Sequence, residues 1–271
     1  MYDMHTNNMV SVVTASRNEK YTAKTVRDLL KNAAGPIEVI VVLDGWWDPE
    51  IVSDDRVVYL HYSDPRGMRN ALNKAVAIAR GDYILKTDSH CMFGEGYDEI
   101  LKRDCGDNWV VVPRRYALDP ERWELEDNPK YPIDYMYLSK DLHGEPWQDK
   151  NRDKALEDKK VDDLMSAQGS CWFMKKSYFK ELGILDESTY GSFWNEFQEI
   201  GLKCWLTGGR VVVNKNTWYA HWHKPKSVGR GYSLRDAGQE AAQEAVAKYV
   251  RDHQKEFDEF INKFAPVPTW T

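Results

Sequence analysis

The sequence predicts an α/β protein whose mainly parallel sheet is covered by helices on both faces, and three observations carry this. Short β-branched runs alternate with helical patterns through the first half of the chain. One run, IEVIVVLDG, is apolar almost throughout and stops at an acid and a glycine, as a fully buried strand does. The spacing of strand, helix and strand leaves room for crossover connections, which join parallel neighbours.

The elements follow in order. Residues 10–14 form a strand, and residues 23–33 a helix with Leu29 and Leu30 on its apolar face. Residues 37–45 and 57–61 are strands separated from a third, 82–88, by an alanine-rich helix over 68–79. A strand at 109–113 follows. From 119 to 163 the chain changes character, rich in charge, proline and aromatic rings (DNPKYPIDYMYLSKDLHGEPWQDKNRDK) and poor in aliphatics. Its Tyr and Trp content predicts a long loop that folds over something, either as a lid or as a surface excursion. Then come a strand at GSCWFM, a helix over 195–206 stopped by Gly208-Gly209, a strand over 210–214 and a basic loop. An amphipathic C-terminal helix closes the chain, with Ala241, Ala245, Tyr249, Phe257, Phe260 and Phe264 largely on one face. The reading is one domain over 1–271: a first half over 1–118, the insertion over 119–163, a second half over 164–235 and the helix over 236–271.

Bulk properties narrow the function. The 271 residues carry a net charge of -6, so no global basic field draws the chain to nucleic acid or anionic membrane. The 11 Trp and 15 Tyr supply rings for the core and for stacking on sugars or bases. The N-terminal residues lack the pattern of a signal peptide, and no apolar run is long enough for a bilayer. Cys91, Cys105, Cys171 and Cys204 are scattered, which fits a reducing, cytoplasmic setting.

Candidate chemistry gathers at strand ends. Asp44 closes one strand and Asp88 another, and acids ending neighbouring crossover strands line one crevice. Asp88 and His90 are two apart, so an extended chain points them the same way, and carboxylate with imidazole suits Mn²⁺. A capping acid beside a surface histidine is the competing interpretation of those two residues. AHWHK supplies His221 and His223, either further ligands or surface groups flanking Trp222. Glu196 and Glu199 sit three apart near a helix start, where the macrodipole alone favours acids. Lys224, Lys226, Arg230 and Arg235 lie in an acid-free loop with glycines, suited to closing over a diphosphate. Arg69, at the start of the alanine-rich helix, is a further candidate for contact with the nucleotide.

Several segments resemble, in order, nucleotide-sugar glycosyltransferases of the GT-A (Rossmann-like) fold. VSVVTASRNE is similar to their first strand and Asn-Glu turn, IEVIVVLDG to the strand ending in the uridine-contacting acid, here Asp44. ALNKAVAIARGDYILKTDSH is similar to the helix and strand that run into the metal motif. Its D-S-H form resembles the polypeptide N-acetylgalactosaminyltransferases in particular. GSCWFMKKSYFKELGILDE, NEFQEIGLKCWLTGG and AHWHK continue the likeness, which makes His221 the third metal ligand and His223 the weaker candidate. The resemblance covers about residues 10–224 and skips the insertion.

It implies a metal-dependent transferase moving a sugar from a UDP-sugar to an acceptor hydroxyl, with Mn²⁺ or Mg²⁺ as cofactor. Asp88, His90 and His221 would hold the metal, Asp44 the base, Lys224, Lys226 or Arg230 the diphosphate, and Glu196 with Glu199 the sugar or acceptor hydroxyls. The sequence departs from the inverting family-2 pattern, in which a Glu-Asp pair provides the base: Phe197 follows Glu196 and cannot take a proton. Retention of configuration is therefore expected, as in the retaining relatives. No anchor or lectin segment accompanies the resemblance, which points to a bacterial or viral cytoplasmic enzyme. The acceptor stays open among a glycan, a protein and a hydroxymethylated DNA base. A nucleotidyltransferase and a non-catalytic sugar-nucleotide binding module are the rival readings.

Overall fold

The structure, a computed structural model of the chain, describes residues 8–126, 132–225, 227–234 and 238–270. β1 (Val10–Ser16), α1 (Thr22–Asn32), β2 (Ile37–Asp44), β3 (Val57–Tyr62), α2 (Met68–Ile78) and β4 (Tyr83–Thr87) reproduce the predicted alternation. β5 (Cys91–Phe93), α3 (Tyr97–Arg103) and β6 (Trp109–Asp119) follow. The insertion holds β7 (Glu124–Leu125), β8 (Met136–Leu138), β9 (Gly144–Pro146), α4 (Gln148–Arg152), α5 (Lys154–Glu157) and β10 (Val161–Asp163). The chain returns through β11 (Cys171–Lys175), α6 (Lys176–Glu181), α7 (Glu187–Tyr190), α8 (Glu196–Leu206) and β12 (Arg210–His221). It closes with α9 (Gln239–Asp252) and α10 (Gln254–Phe264). No helix among the described residues is long and apolar enough to cross a membrane.

The main sheet has the order β3-β2-β1-β4-β11-β6-β12-β10. The β3/β2, β2/β1, β1/β4 and β6/β12 ladders are parallel. The sheet is thus mainly parallel, as expected, with β11 inserted antiparallel to both β4 and β6. The reason is local: β11 enters at the Ser170 end, where Ser170 O accepts from Asp88 N, and needs no crossover helix to reach its place. The strands bury Val10, Val12, Val39, Val41, Ile84, Leu85, Val111 and Phe173 almost completely.

Two segments differ from the periodicity. β12 extends well past residue 214, with a register shift between Asn214 and Trp218 that absorbs Lys215, Asn216 and Thr217. Asp104 Oδ2 accepts from Asn214 Nδ2 and Asn216 Nδ2, at 3.0 and 2.9 Å, and so holds both sides of this bulge. The extension carries the strand to His221, opposite Cys91 of β5. The single C-terminal helix is two, broken at His253, whose ring lies 2.9 Å from Tyr249 O. The break lets each piece present its own stripe, so Ala242, Val246 and Val250 are buried with Ala245 while Ala241 is exposed and Tyr249 half-buried.

The insertion packs against the body instead of standing away from it. Trp270 Nε1 donates to Leu138 O at 2.7 Å, and Lys150 Nζ sits 5.6 Å from the centre of the Phe264 ring of α10. Gln243 of α9 accepts from Asn195 Nδ2 at 3.0 Å and donates to Asp141 O at 2.8 Å, so it joins the start of α8 to the insertion.

One buried acid ties the parallel core together. Glu38, in β2, accepts from Ser11 Oγ at 2.6 Å, from Arg80 N at 2.6 Å and from Arg80 Nε at 2.8 Å. Burial acts to raise its pKa, but these donors outweigh burial and hold it below the ordinary 4.5. A carboxylate with a depressed folded pKa adds stability above its unfolded pKa, and that stability is lost as pH falls through the folded value. Urea unfolding should therefore show wild type more stable than Glu38→Gln at neutral pH, with the gap closing as pH drops below about 4.5. A gap that stays constant down to about pH 3 would contradict this assignment.

Candidate active site

The strand ends carrying Asp44, Asp88 and His221 open into one cavity of about 1170 Å³. Asp44, Asp88, His90, Glu196, His221, His223, Lys224 and Arg230 all line it, and the insertion contributes Met136, Gly144 and Pro146 to its wall. Lys226 and Arg235 lie outside the described residues.

Asp88, just past the end of β4, His90, and His221, the last residue of β12, form the cluster, their nearest ligand atoms all within 4.8 Å of one another. His221 Nε2 is 3.1 Å from His90 Nε2 and 3.3 Å from Asp88 Oδ2. Burial, opposed by the bond to Asp88, pushes the His221 pKa down to about 3, which keeps this imidazole neutral at physiological pH. Glu19 Oε2 lies 2.9 Å from His90 Nδ1. A carboxylate there favours the proton on Nδ1 and leaves the Nε2 lone pair facing His221. Burial disfavours an ionised Asp88, but the Lys86 charge and the two histidines hold its carboxyl well below the usual range. One anionic oxygen and two imidazole nitrogens, converging on one point with an orienting carboxylate behind, fit a divalent cation of the Mn²⁺ or Zn²⁺ type. His223 lies outside this trio: its exposed ring meets His221 edge-on, with centroids 4.6 Å apart.

Behind Asp88 stands Lys86, which sequence reasoning did not single out. Its Nζ donates to Asp88 Oδ1 at 2.7 Å, to Glu196 Oε2 at 3.3 Å and to Gly169 O. The lysine is 2% exposed, and burial, which disfavours its charge, is overcome by the two carboxylates. A lysine inside the apolar run YILKT, two residues before Asp88 and so on the same face, was the available signal. Glu196 Oε1 also accepts from Trp172 Nε1 at 2.7 Å. Burial, opposed by the Lys86 charge, raises the Glu196 pKa. A Cβ at position 169 would stand 2.7 Å from Glu196 Oε2, so the glycine in AQGSC is what lets the carboxylate sit there. Glu19 was likewise missed as a functional group, although its place in the SRNE turn at the end of β1 put it beside the cavity.

Asp44, at the far side of the cavity, accepts from Arg66 N at 2.6 Å and Gly67 N at 3.0 Å. These bonds fix the carboxylate and leave each oxygen a further lone pair for a ligand. Lys224 pairs with Glu19 Oε2 at 2.5 Å. Arg230 lies over the Phe193 ring, its guanidinium carbon 5.4 Å from the ring centre. The rest of the basic loop folds back on β1: Asn18 Nδ2 donates to Gly231 O at 2.9 Å, and Arg17 stacks on Tyr232 at 4.5 Å.

Arg69 and Glu199 depart from expectation. Neither lines the cavity; both side chains are 0% exposed and pair with each other. Arg69 Nη2 donates to Trp194 O at 2.8 Å, and Glu199 Oε1 accepts from Asp186 N at 2.9 Å and Lys203 Nζ at 2.8 Å. A step of three residues on a helix turns side chains apart by about 60°, which sends Glu196 into the cavity and Glu199 behind α8. Their contacts anchor the segment before α8, and neither side chain reaches the cavity.

Comparison with known proteins agrees with this architecture. Residues 11–183 match the family model described as glycosyl transferase family 2. Glycosyltransferase GlyG of Streptococcus pneumoniae serotype 4 is 26% identical over 184 residues, which is 63% of this chain and 54% of that protein. Polypeptide N-acetylgalactosaminyltransferase 5 of Caenorhabditis elegans is 25% identical over 240 residues, 80% of this chain and 37% of that protein. The chain thus spans about half or less of these curated relatives. Among solved structures, GalNAc-T7 with UDP, GalNAc and Mn²⁺ superposes with a TM-score of 0.70 at 16% identity, over 97% of this chain and 53% of that one. S. aureus TarS 1-349 in complex with UDP-GlcNAc gives 0.53 at 14% identity, over 94% and 72%. Those likenesses establish a GT-A fold, and the matched family model covers most of the sheet that builds the site. The chain belongs to glycosyl transferase family 2.

Proposed function

We propose that this glycosyltransferase moves a sugar from a UDP-sugar to an acceptor hydroxyl with retention of anomeric configuration, served by Mn²⁺ or Mg²⁺ at Asp88, His90 and His221. The observation that carries the reading is the convergence of those three side chains, from β4 and β12, beside the cavity that Asp44 and Glu196 also line. The UDP and Mn²⁺ in the GalNAc-T7 structure, and the UDP-GlcNAc in the TarS structure, support the donor and the metal. When bound, the cation supplies Lewis-acid neutralisation of the charge that grows on the departing diphosphate.

The chain's own groups do the rest. Asp44 receives the nucleobase at one end of the cavity. Lys86 keeps Asp88 ionised and holds Glu196 against Trp172, so the Glu196 carboxylate is fixed where sugar or acceptor hydroxyls can donate to it. Arg230 and Lys224, on the loop that folds back over β1, add positive potential where the leaving group gains charge. The wall formed by that loop and the insertion keeps water from competing with the acceptor.

Stereochemistry follows from which acids are free. Phe197 is 2% exposed and apolar, and Glu199 is buried against Arg69, so no second carboxylate of α8 reaches the cavity. In the retaining reaction the bond from the anomeric carbon to the phosphate oxygen breaks. The acceptor oxygen bonds on the same face, and its proton passes to the departing phosphate.

Two measurements check the proposal. Calorimetric titration of Mn²⁺ should show wild type binding the ion, with Asp88→Asn and His221→Ala weakening it by tenfold or more and Glu19→Gln by about tenfold, the scale of an orienting partner. Unchanged Mn²⁺ and UDP affinity in Asp88→Asn would remove the metal from the reading. Incubation with a panel of UDP-sugars should release UDP, and proton NMR of the transferred product should show the donor's anomeric configuration. An inverted product would refute retention and assign the base to Glu196.

A further inference from the structure

The strand sequence VPRRY places two arginines on opposite faces of β6, and they meet different fates. Arg114 donates to both oxygens of Asp134, its Nη2 at 2.7 Å from Oδ2. Arg115 is 5% exposed and lines the cavity, yet its partners are neutral: Nη1 donates to Gln168 Oε1, and Nη2 lies 3.6 Å from Met136 Sδ. Its charge also acts on the Tyr219 hydroxyl of β12, its register neighbour. Among the described residues no carboxylate forms an ion pair with it. A guanidinium cannot shed its proton to escape burial, and an uncompensated buried charge is costly. A cation held in that state on the wall of a binding cavity is matched to an anion that arrives with the ligand.

The strand order says which part of the ligand this is. Asp44 ends β2, Asp88 follows β4 and Arg115 lies in β6, and the path between the outer two runs β2-β1-β4-β11-β6. Four steps of about 4.8 Å put Arg115 up to about 19 Å from Asp44, with Asp88 between them on this path and His221 on β12, the strand beyond β6. A nucleoside diphosphate lying from Asp44 to the Asp88 cluster ends there. What continues past it, towards Arg115 and the insertion residue Met136, is the transferred sugar and the acceptor.

We propose that Arg115 receives an oxyanion, a phosphate or carboxylate, carried by the acceptor or by the transferred sugar. This rests on the UDP-sugar reading for its direction, though the anion site itself does not. Gln168 holds the guanidinium in place, and Met136 makes the insertion part of the same subsite.

The test is calorimetric titration of inorganic phosphate into the full chain, first alone and then with Mn²⁺ and saturating UDP. Wild type should bind phosphate in both states, and Arg115→Gln should bind it at least about tenfold more weakly, the scale of a charge-assisted hydrogen-bonded pair. Arg115→Lys, which keeps the charge and loses the fork, should fall between them. Equal phosphate affinity in wild type and Arg115→Gln, with circular dichroism showing the variant folded, overturns the proposal. So does the disappearance of phosphate binding once UDP is bound, which would give Arg115 to the diphosphate. A second arm compares UDP-glucuronate with UDP-glucose. Preference for the glucuronate that vanishes in Arg115→Gln assigns the anion to the sugar, and equal affinities with a surviving phosphate site assign it to the acceptor. A wild type that binds phosphate through Arg115 but binds no UDP would retain the anion site and sink the nucleotide-sugar reading.

Discussion

The site depends on one ammonium group. Lys86 is the only formal positive charge that the described residues place between Asp88 and Glu196, and its Nζ touches both carboxylates and the Gly169 carbonyl. Without it two acids would share a buried corner, and at least one would take up a proton. The ammonium does two jobs through one atom. It keeps Asp88 anionic, and it fixes Glu196 in a single position between itself and Trp172. The lysine belongs to the central strand of the sheet, so its placement inherits the rigidity of the core.

A similar logic governs the buried pair behind the cavity. Arg69 and Glu199 were legible as charged residues near plausible ligand positions, and their burial shows that charge type alone does not locate a contact. Truncating one partner of such a pair costs on the order of 3–5 kcal/mol because the other is left buried and unpaired. Here that energy secures the turn before α8, whose first residue, Glu196, faces the cavity. The buried pair supports the site from behind without entering it.

Periodicity and turn chemistry located the strands and helices of the first half closely, because β1, β2 and β4 are almost wholly buried and rich in β-branched residues. The antiparallel direction of β11 was not legible, since a short apolar strand reads the same either way. The length of β12 was hidden by Lys215 and Asn216, polar residues absorbed in a bulge that Asp104 holds from another element. The pairing of Asp88 with His90 followed from their spacing. That His221 lies beside them required the three-dimensional course of β12, and the family resemblance supplied it where spacing could not. Lys86, Glu19 and Arg115 were overlooked because each was read as one charge among many, and only burial distinguishes them.

The strand order has a bearing on how the molecule is made. β1 to β4 are neighbours both in sequence and in the sheet, whereas β12 joins β6 across roughly a hundred residues of chain and closes a far longer loop. Contacts of that span form late and slowly compared with local crossovers. Asp44, Lys86 and Asp88 belong to the local half, and Glu196 and His221 to the half that must return from afar. A partly folded chain can therefore hold the wall with Asp44, Lys86 and Asp88 in native form while lacking His221 and Glu196. The cavity is complete only when the last parallel ladder zips, so the meeting of Asp88, His90 and His221 is itself a readout of complete folding.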